Sequence, residues 1–239
     1  KGRNYHRMTG IYTDTDRNYR MYNGNQWGNA KLGDVEPVQK NFIKPIVKYK
    51  VGVIHDNLYA IVFSSQNFEN QAFHKEAEKY CEMLNRYASR VWEKDSMDYK
   101  GRKITKDSAI NDEGIIYVDF DTEKMLPVNE IVKKNDIYYG NENDEDIQKQ
   151  PYILIRKRIP VSNAIEWAKS EGVSEEKTKY IIGDNDTFEE SGESAKLELD
   201  NMVTIVYKFY KKDKTVHFSC ATRYIDIVED VNTGLSLYP

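Results

Sequence analysis

Apolar positions along this chain follow two rhythms, one helical and one alternating. From Asn41 onward, Phe42, Ile43, Ile46, Val47 and Val51 recur at helical spacing. Pro45 falls within the first turns of that helix, where its missing N–H does little harm. The strongest helical signal spans residues 69–98. Phe73, Ala77, Tyr80, Leu84, Tyr87 and Val91 step by four and three, and Cys81, Ala88 and Trp92 widen the stripe. Glu76, Glu78, Lys79, Glu82, Arg86, Arg90 and Glu93 fill the other face. Such a helix is roughly 40 Å long, enough to organise a domain. Residues 98–107 read as a polar connector around Gly101. Pro160 leads a helix over 161–171 with Gly172 as its cap, and Ser174, followed by Glu175 and Glu176, starts a short one.

The alternating rhythm predicts strands at 59–63, 115–120 and 152–155. Over 202–210, Val203, Ile205, Tyr207 and Phe209 share one side. Lys211-Lys212-Asp213-Lys214 then turns the chain, and Val216, Phe218 and Cys220 return as the antiparallel partner. A further strand covers 224–228. Residues 1–37 carry turn chemistry, such as Asn23-Gly24-Asn25, and read as an aromatic-anchored arm with a short helix from about Asp14. Residues 141–146 and 183–200 read as acidic loops, the second one mobile. The predicted fold class is α+β, with mixed or antiparallel sheets packed on the one long amphipathic helix of 69–98. The arm occupies 1–37 and the body 38–239. On that reading Leu84→Ala costs about 2–5 kcal/mol.

Composition narrows the function. At 239 residues the chain can bury a sizeable core. Charged residues make up 31% and the mean hydropathy is −0.76, which is polar for a globular chain. Aromatic residues are 12%, and 18 tyrosines lead them, which argues against bulk disorder. A net charge of −4 is not the basic footprint of a site-specific DNA binder. No apolar run approaches the ~20 residues of a membrane span, and the opening residues do not read as a secretory signal. Cys81 and Cys220 cannot build a disulfide framework or a four-cysteine zinc site, so a reducing compartment is expected. Lys1 and Pro239 both read as cuts in a longer chain.

Candidate chemistry is sparse. No phosphate-binding glycine loop, nucleophile elbow, HExxH or CxxC occurs. Asp119 and Asp121 share one face of a strand and, with Glu123, could hold Mg²⁺ for phosphodiester cleavage, but no nearby Lys or His completes that set. Asp184-Asn185-Asp186 with Glu189 and Glu190 has a calcium-loop flavour without the glycine and glutamate such loops need. Lys40, Lys44, Lys48 and Lys50 form either a solvated helix face or a phosphate-binding strip. His55 beside Asp56 reads as a surface hydrogen bond, and His217 has no sequence-near carboxylate. Accordingly no catalytic residue, cofactor or metal is expected, and no ATPase, nuclease or protease activity.

The order of segments carries more than any single motif. Tyr22-Asn23-Gly24-Asn25-Gln26-Trp27 resembles an element near the N-terminus of tailed-bacteriophage portal proteins, and Asn41-Phe42-Ile43-Lys44-Pro45-Ile46-Val47 resembles the helix that follows it there. Asp112-Glu113-Gly114-Ile115-Ile116-Tyr117-Val118 is similar to the portal segment in which a glycine introduces a strand. Asp146-Ile147-Gln148-Lys149-Gln150-Pro151-Tyr152-Ile153, then Arg158-Ile159-Pro160-Val161, then Gly234-Leu235-Ser236-Leu237-Tyr238-Pro239 continue the same order. One departure is Asn111-Asp112, where family members often carry a small residue and a glycine.

The resemblance implies the N-terminal wing portion of a portal subunit (a head-tail connector), with stem, clip and crown lying beyond Pro239. It implies a non-enzymatic virion protein that assembles in the bacterial cytoplasm as a ring, typically a dodecamer, at one capsid vertex. Implied partners are further copies of itself, terminase, capsid and tail-adaptor proteins, and double-stranded DNA passing non-specifically during packaging and ejection, with no membrane. Another head or tail adaptor is the alternative, and the metal-dependent nuclease the enzymatic one. The fragment alone is expected to be largely monomeric. Weak, salt-sensitive contacts between copies would set its acidic loops against Lys40, Lys44 and Lys48, or against Lys208, Lys211 and Lys212.

Overall fold

Helical periodicity and strand alternation both become elements of the computed structural model, which describes residues 6–28, 33, 38–56, 61–65, 71–121, 125–184 and 201–239. In chain order these are α1 (Ile11–Tyr22), α2 (Ile43–Asp56), α3 (Gln71–Lys94), α4 (Met97–Asn111), β1 (Ile115–Asp121), β2 (Leu126–Val132), β3 (Ile137–Tyr139), β4 (Tyr152–Pro160), α5 (Val161–Ser170), α6 (Glu175–Thr178), β5 (Met202–Lys212), β6 (Thr215–Ala221) and β7 (Asp226–Asn232). The fold class is α+β. The chain divides into two units, one of Lys1–Arg17 with Val132–Pro239, the other of Asn18–Ile131.

In the first unit, β3-β4-β5-β6-β7 form an antiparallel meander in sequence order. Its tight turn is Asp213-Lys214, both residues at positive φ, joining the Lys212↔Thr215 pair. That left-handed pair matches the twist of the hairpin. Val203, Ile205 and Phe209 are buried on one face, as the alternation predicts, and Val216 and Cys220 are buried from β6. Helix α5 covers this sheet. Ala164 and Ala168, one turn apart, are fully buried against Ile205, Val203, Cys220 and Ile227. Two side chains that small let the helix axis approach the sheet closely, and Trp167 closes the edge against Tyr207 at 5.9 Å between ring centroids. Gly172, at φ 81, ends the helix as expected, and Val173 N–H returns to the Ala168 carbonyl at 2.9 Å.

The second unit is helical apart from the antiparallel β1-β2 pair. Its core is small: Tyr22, Val47 and Ile110, with Tyr19, Ile43 and Val51 against them. Asn41 caps α2, its Oδ1 accepting from Lys44 N–H at 3.0 Å.

Four expectations change. Residues 115–121 belong to the two-stranded pair rather than to the large sheet, whose antiparallel pairing is one of the two arrangements expected. Within its own unit the large sheet packs on α5. The 69–98 region does form a 24-residue helix, α3, but its stripe is not core: Leu84 is 43% exposed and Tyr80 62%. Residues 98–107 are helical, inside α4. Of the 59–63 strand, Tyr59 and Ala60 lie outside the described residues. Ile61, Val62 and Phe63 are in no strand; Asn85 of α3 clamps the Phe63 backbone instead, accepting its N–H at 2.8 Å and donating to its carbonyl at 3.1 Å.

The break that ends α3 has a polar cause. Ser96 is left-handed at φ 52, and Asp95 bridges outward: its carboxylate takes the Lys100 ammonium and accepts from Asn129 Nδ2 at 2.6 Å. Burial pushes the Asp95 carboxyl upward, and the hydrogen bonds from Lys100 and Asn129 outweigh it and leave the group below its ordinary value.

Leu84→Ala is therefore expected to cost under about 1 kcal/mol, whereas Ile205→Ala costs about 2–5 kcal/mol because it opens a cavity in a fully buried site. Urea denaturation of the two variants checks the contrast, and equal losses would return α3 to the core.

Candidate functional site

Polar side chains that reach across long stretches of chain are the distinctive feature of this protein. Gln150, almost fully buried, ties the 141–150 loop shut. Its Oε1 accepts from Asn141 N–H at 2.8 Å, and its Nε2 donates to the carbonyls of Asn141 at 2.9 Å and Asp144 at 2.7 Å. Tyr238, at the far end of the chain, donates its hydroxyl to the Gln150 carbonyl at 2.7 Å, and Gln148 accepts the Tyr238 N–H at 2.8 Å. The acidic loop at 141–146 is thus exposed but anchored. Asn41 Nδ2 likewise donates to the Tyr22 carbonyl at 2.9 Å, and Gln26 Nε2 to the Lys40 carbonyl at 2.5 Å.

These bonds decide several candidate residues. Asp184, the first residue of the calcium-like run, is engaged within the fold. It pairs with Arg158 at 3.1 Å, accepts the Thr204 N–H at 2.7 Å and accepts the Thr204 hydroxyl at 2.9 Å. Asn185, Asp186, Glu189 and Glu190 lie outside the described residues. Of the nuclease set, Asp119 folds back to its neighbour, accepting the Phe120 N–H at 2.7 Å, and Glu123 lies outside the described residues. Among the described residues no three His, Cys, Asp or Glu side chains gather as metal ligands. His55 meets a hydroxyl rather than Asp56: its Nε2 is 3.0 Å from Thr105 Oγ1, which links α2 to α4.

Strand pairing creates one cluster that the sequence did not reveal. His217 faces Asp230 from the neighbouring strand, with 2.5 Å between Nδ1 and Oδ1. Asp230 also accepts from the Tyr210 hydroxyl and from Lys212 at 3.1 Å. Hydrogen bonds from Tyr210, then Lys212, then His217 hold the Asp230 carboxyl well below the usual carboxylate range. Its members come from three adjacent strands, so the arrangement works as a cross-strand latch.

A concave basic site does exist in the second unit. A groove of 490 Å³ lies between α2 and α4, floored by Tyr22, Val47 and Val51. Lys48, Arg102, Lys103 and Lys106 stand around it. The nearby acids of α4 are committed elsewhere: Asp107 accepts from the Tyr19 hydroxyl at 2.7 Å, and Asp98 from Trp92 Nε1 at 2.8 Å. Burial first, then the Asp107 contact, pushes the Tyr19 hydroxyl upward. The groove is apolar at its base and cationic at its rim. Lys48, one of the four lysines of the sequence strip, contributes to it; Lys44 instead sits over the Tyr22 ring at 5.8 Å. Arg102, Lys103 and Lys106 escaped notice because 98–107 read as a connector. Helical spacing places Arg102 and Lys106 four apart on one face, and that was the available signal.

No protein-family model matches the chain, and no curated protein matches it. Among the described residues no helix is long and apolar enough to cross a membrane.

Two measurements test this local chemistry. A lowered folded pKa stabilises above the unfolded value of about 4 and is lost as pH falls through the folded value. Asp230→Asn should therefore lower Tm at pH 7 and converge with the parent as pH drops below about 4. A constant offset across that range would remove the latch. Burial pushes the Cys220 thiol up to about 12, and Cys81 is half-buried. A thiol reagent at neutral pH should label Cys81 in the folded protein and reach Cys220 only on unfolding.

Proposed function

We propose that this chain is the N-terminal wing portion of a tailed-bacteriophage portal subunit. It is a structural, non-catalytic protein of the virion that assembles in the bacterial cytoplasm into the ring at one capsid vertex. DNA passes through that ring during packaging and ejection, and terminase, capsid and tail-adaptor proteins dock on the assembled protein. One observation carries the reading: the segments that resemble portal elements hold one another in pairs. Asn41 of the Asn41–Val47 stretch bonds the Tyr22 carbonyl of the Tyr22–Trp27 stretch, and Gln26 returns to Lys40. Gln148 and Gln150 of the Asp146–Ile153 stretch bond Tyr238 of the final stretch. A side chain that closes a long-range hydrogen bond is restricted in type and position. The first pair is held within the unit of Asn18–Ile131 and the second within the unit that includes Val132–Pro239, which supports the reading for each pair separately.

Two glycines in the series support the same reading. Gly24, at φ +84, faces Asn41, and a Cβ there would lie 3.0 Å from it. At Gly114 a Cβ would meet the Ile104 carbonyl oxygen at 2.7 Å, so the strand that follows can start only from glycine. At the departure, Asp112 takes φ 69 and donates its N–H to the Ser108 carbonyl at 2.9 Å. An aspartate thereby makes the left-handed turn that a glycine would make at lower strain.

The charge fits a conduit. Each lysine or arginine contact to phosphate releases counterions and holds DNA back, whereas a chain of net charge −4 lets it slide.

The longer protein, continuing past Pro239 into two long amphipathic helices, is expected to sediment as a closed ring and to show rotational symmetry in electron micrographs. A monomer at micromolar concentration overturns the reading. Mg²⁺-dependent cleavage of duplex DNA that disappears in Asp119→Ala would put the nuclease in its place.

A further inference from the structure

A groove with an apolar floor and a cationic rim selects for a segment that carries carboxylates around an apolar anchor. Val47 and Val51 offer the floor, and Gly52 leaves it open, since a Cβ at that position meets nothing within 4 Å. Lys48, Arg102 and Lys103 offer the charge, and none makes an ion pair with a described carboxylate. Of the two aromatic residues that line the groove, Tyr22 already carries Lys106 at 5.0 Å and Lys44 at 5.8 Å, whereas Tyr99 is exposed, so nucleic acid enters the test as a rival occupant.

The chain itself encodes a segment of the required chemistry. Residues 185–200 contain Asp186, Glu189, Glu190, Glu193, Glu198 and Asp200 against a single basic residue, Lys196. Their one aromatic residue, Phe188, sits directly before Glu189-Glu190. These residues lie outside the described structure, so only their sequence enters the argument. We propose that the groove between α2 and α4 receives this acidic, phenylalanine-bearing segment from a second copy of the chain.

The inference rests on the ring reading for its geometry. Groove and segment are different surfaces, so their pairing is heterologous and passes from copy to copy in one direction, as a ring requires. The two lysine groups that the sequence offers to a neighbour differ in their partners. Lys211 donates to the Gln148 carbonyl at 2.6 Å, Lys212 pairs with Asp230, and Lys208 lies 4.7 Å over the Tyr210 ring. Lys211 and Lys212 thus have partners inside their own unit, whereas Lys48 of α2 has no described carboxylate partner and lines a concave surface that can meet the acidic loop of the next copy.

Fluorescence anisotropy of a labelled peptide with the sequence of residues 184–200, titrated with the protein, tests the contact. Binding is expected at low salt, weakened at least tenfold by Arg102→Glu with Lys103→Glu. The same loss is expected from Gly52→Leu, which fills the floor without touching the charge and leaves the fold intact by circular dichroism. Replacing Phe188 by serine in the peptide should weaken binding similarly. Failure of the peptide to bind overturns the proposal, as does binding that neither groove variant alters. Labelled single-stranded and duplex DNA serve as rival probes, and a groove-dependent preference for either over the peptide also overturns it. Sedimentation of the longer protein separates the two claims. A ring without peptide binding sinks only the contact, and peptide binding without a ring sinks only the portal reading.

Discussion

Backbone amides and carbonyls in half-buried loops must find partners, and in this protein a few carboxamide and carboxylate side chains supply them. Gln150 alone closes the 141–150 loop with three hydrogen bonds, and it is nearly inaccessible to water. Asp184 does the same for the approach to β5, combining an ion pair with two bonds to Thr204. Asp95 turns the chain between α3 and α4 while holding Asn129. Removing any of them leaves buried polar groups unpartnered, which costs about 1–3 kcal/mol per group. In a chain with 39% hydrophobic residues and modest cores, losses of that size are a large share of total stability.

This dependence on polar locks shapes where chemistry can and cannot occur. Two of the acidic residues that in isolation suggest a metal or a nuclease, Asp184 and Asp119, make hydrogen bonds within the fold, and a third acid, Asp230, gathers a cluster of its own. Asp184 is locked to Arg158 and Thr204, Asp119 is turned to its own backbone, and Asp230 collects a tyrosine, a lysine and a histidine on the sheet surface. Basic residues divide the same way. Lys211 and Lys212 of the β5 hairpin have partners within their own unit, while basic residues of α2 and α4 line a groove near which Asp107 accepts from Tyr19 and Asp98 from Trp92. Among the described residues a chain of net negative charge thus carries a concave basic surface, and that asymmetry suits contact between unlike faces of identical copies.

Sequence alone determined the elements whose signal is local. The 202–220 hairpin, the capped α5 helix with Gly172 at its end, and α2 beginning just after Asn41 follow from alternation, helical spacing and capping chemistry, all of which act within a few residues. Tertiary structure decided which apolar face is buried. Helix α3 has a clear apolar stripe, yet Tyr80, Leu84 and Tyr87 on it are exposed, whereas Ala164 and Ala168 of α5 are fully buried on the sheet of their unit. It also decided the groove and the Asp230 cluster. Arg102 joins Lys48, and His217 joins Asp230, only when helices pack and strands pair, since proximity across 54 or 13 residues is a property of the register and not of the local pattern.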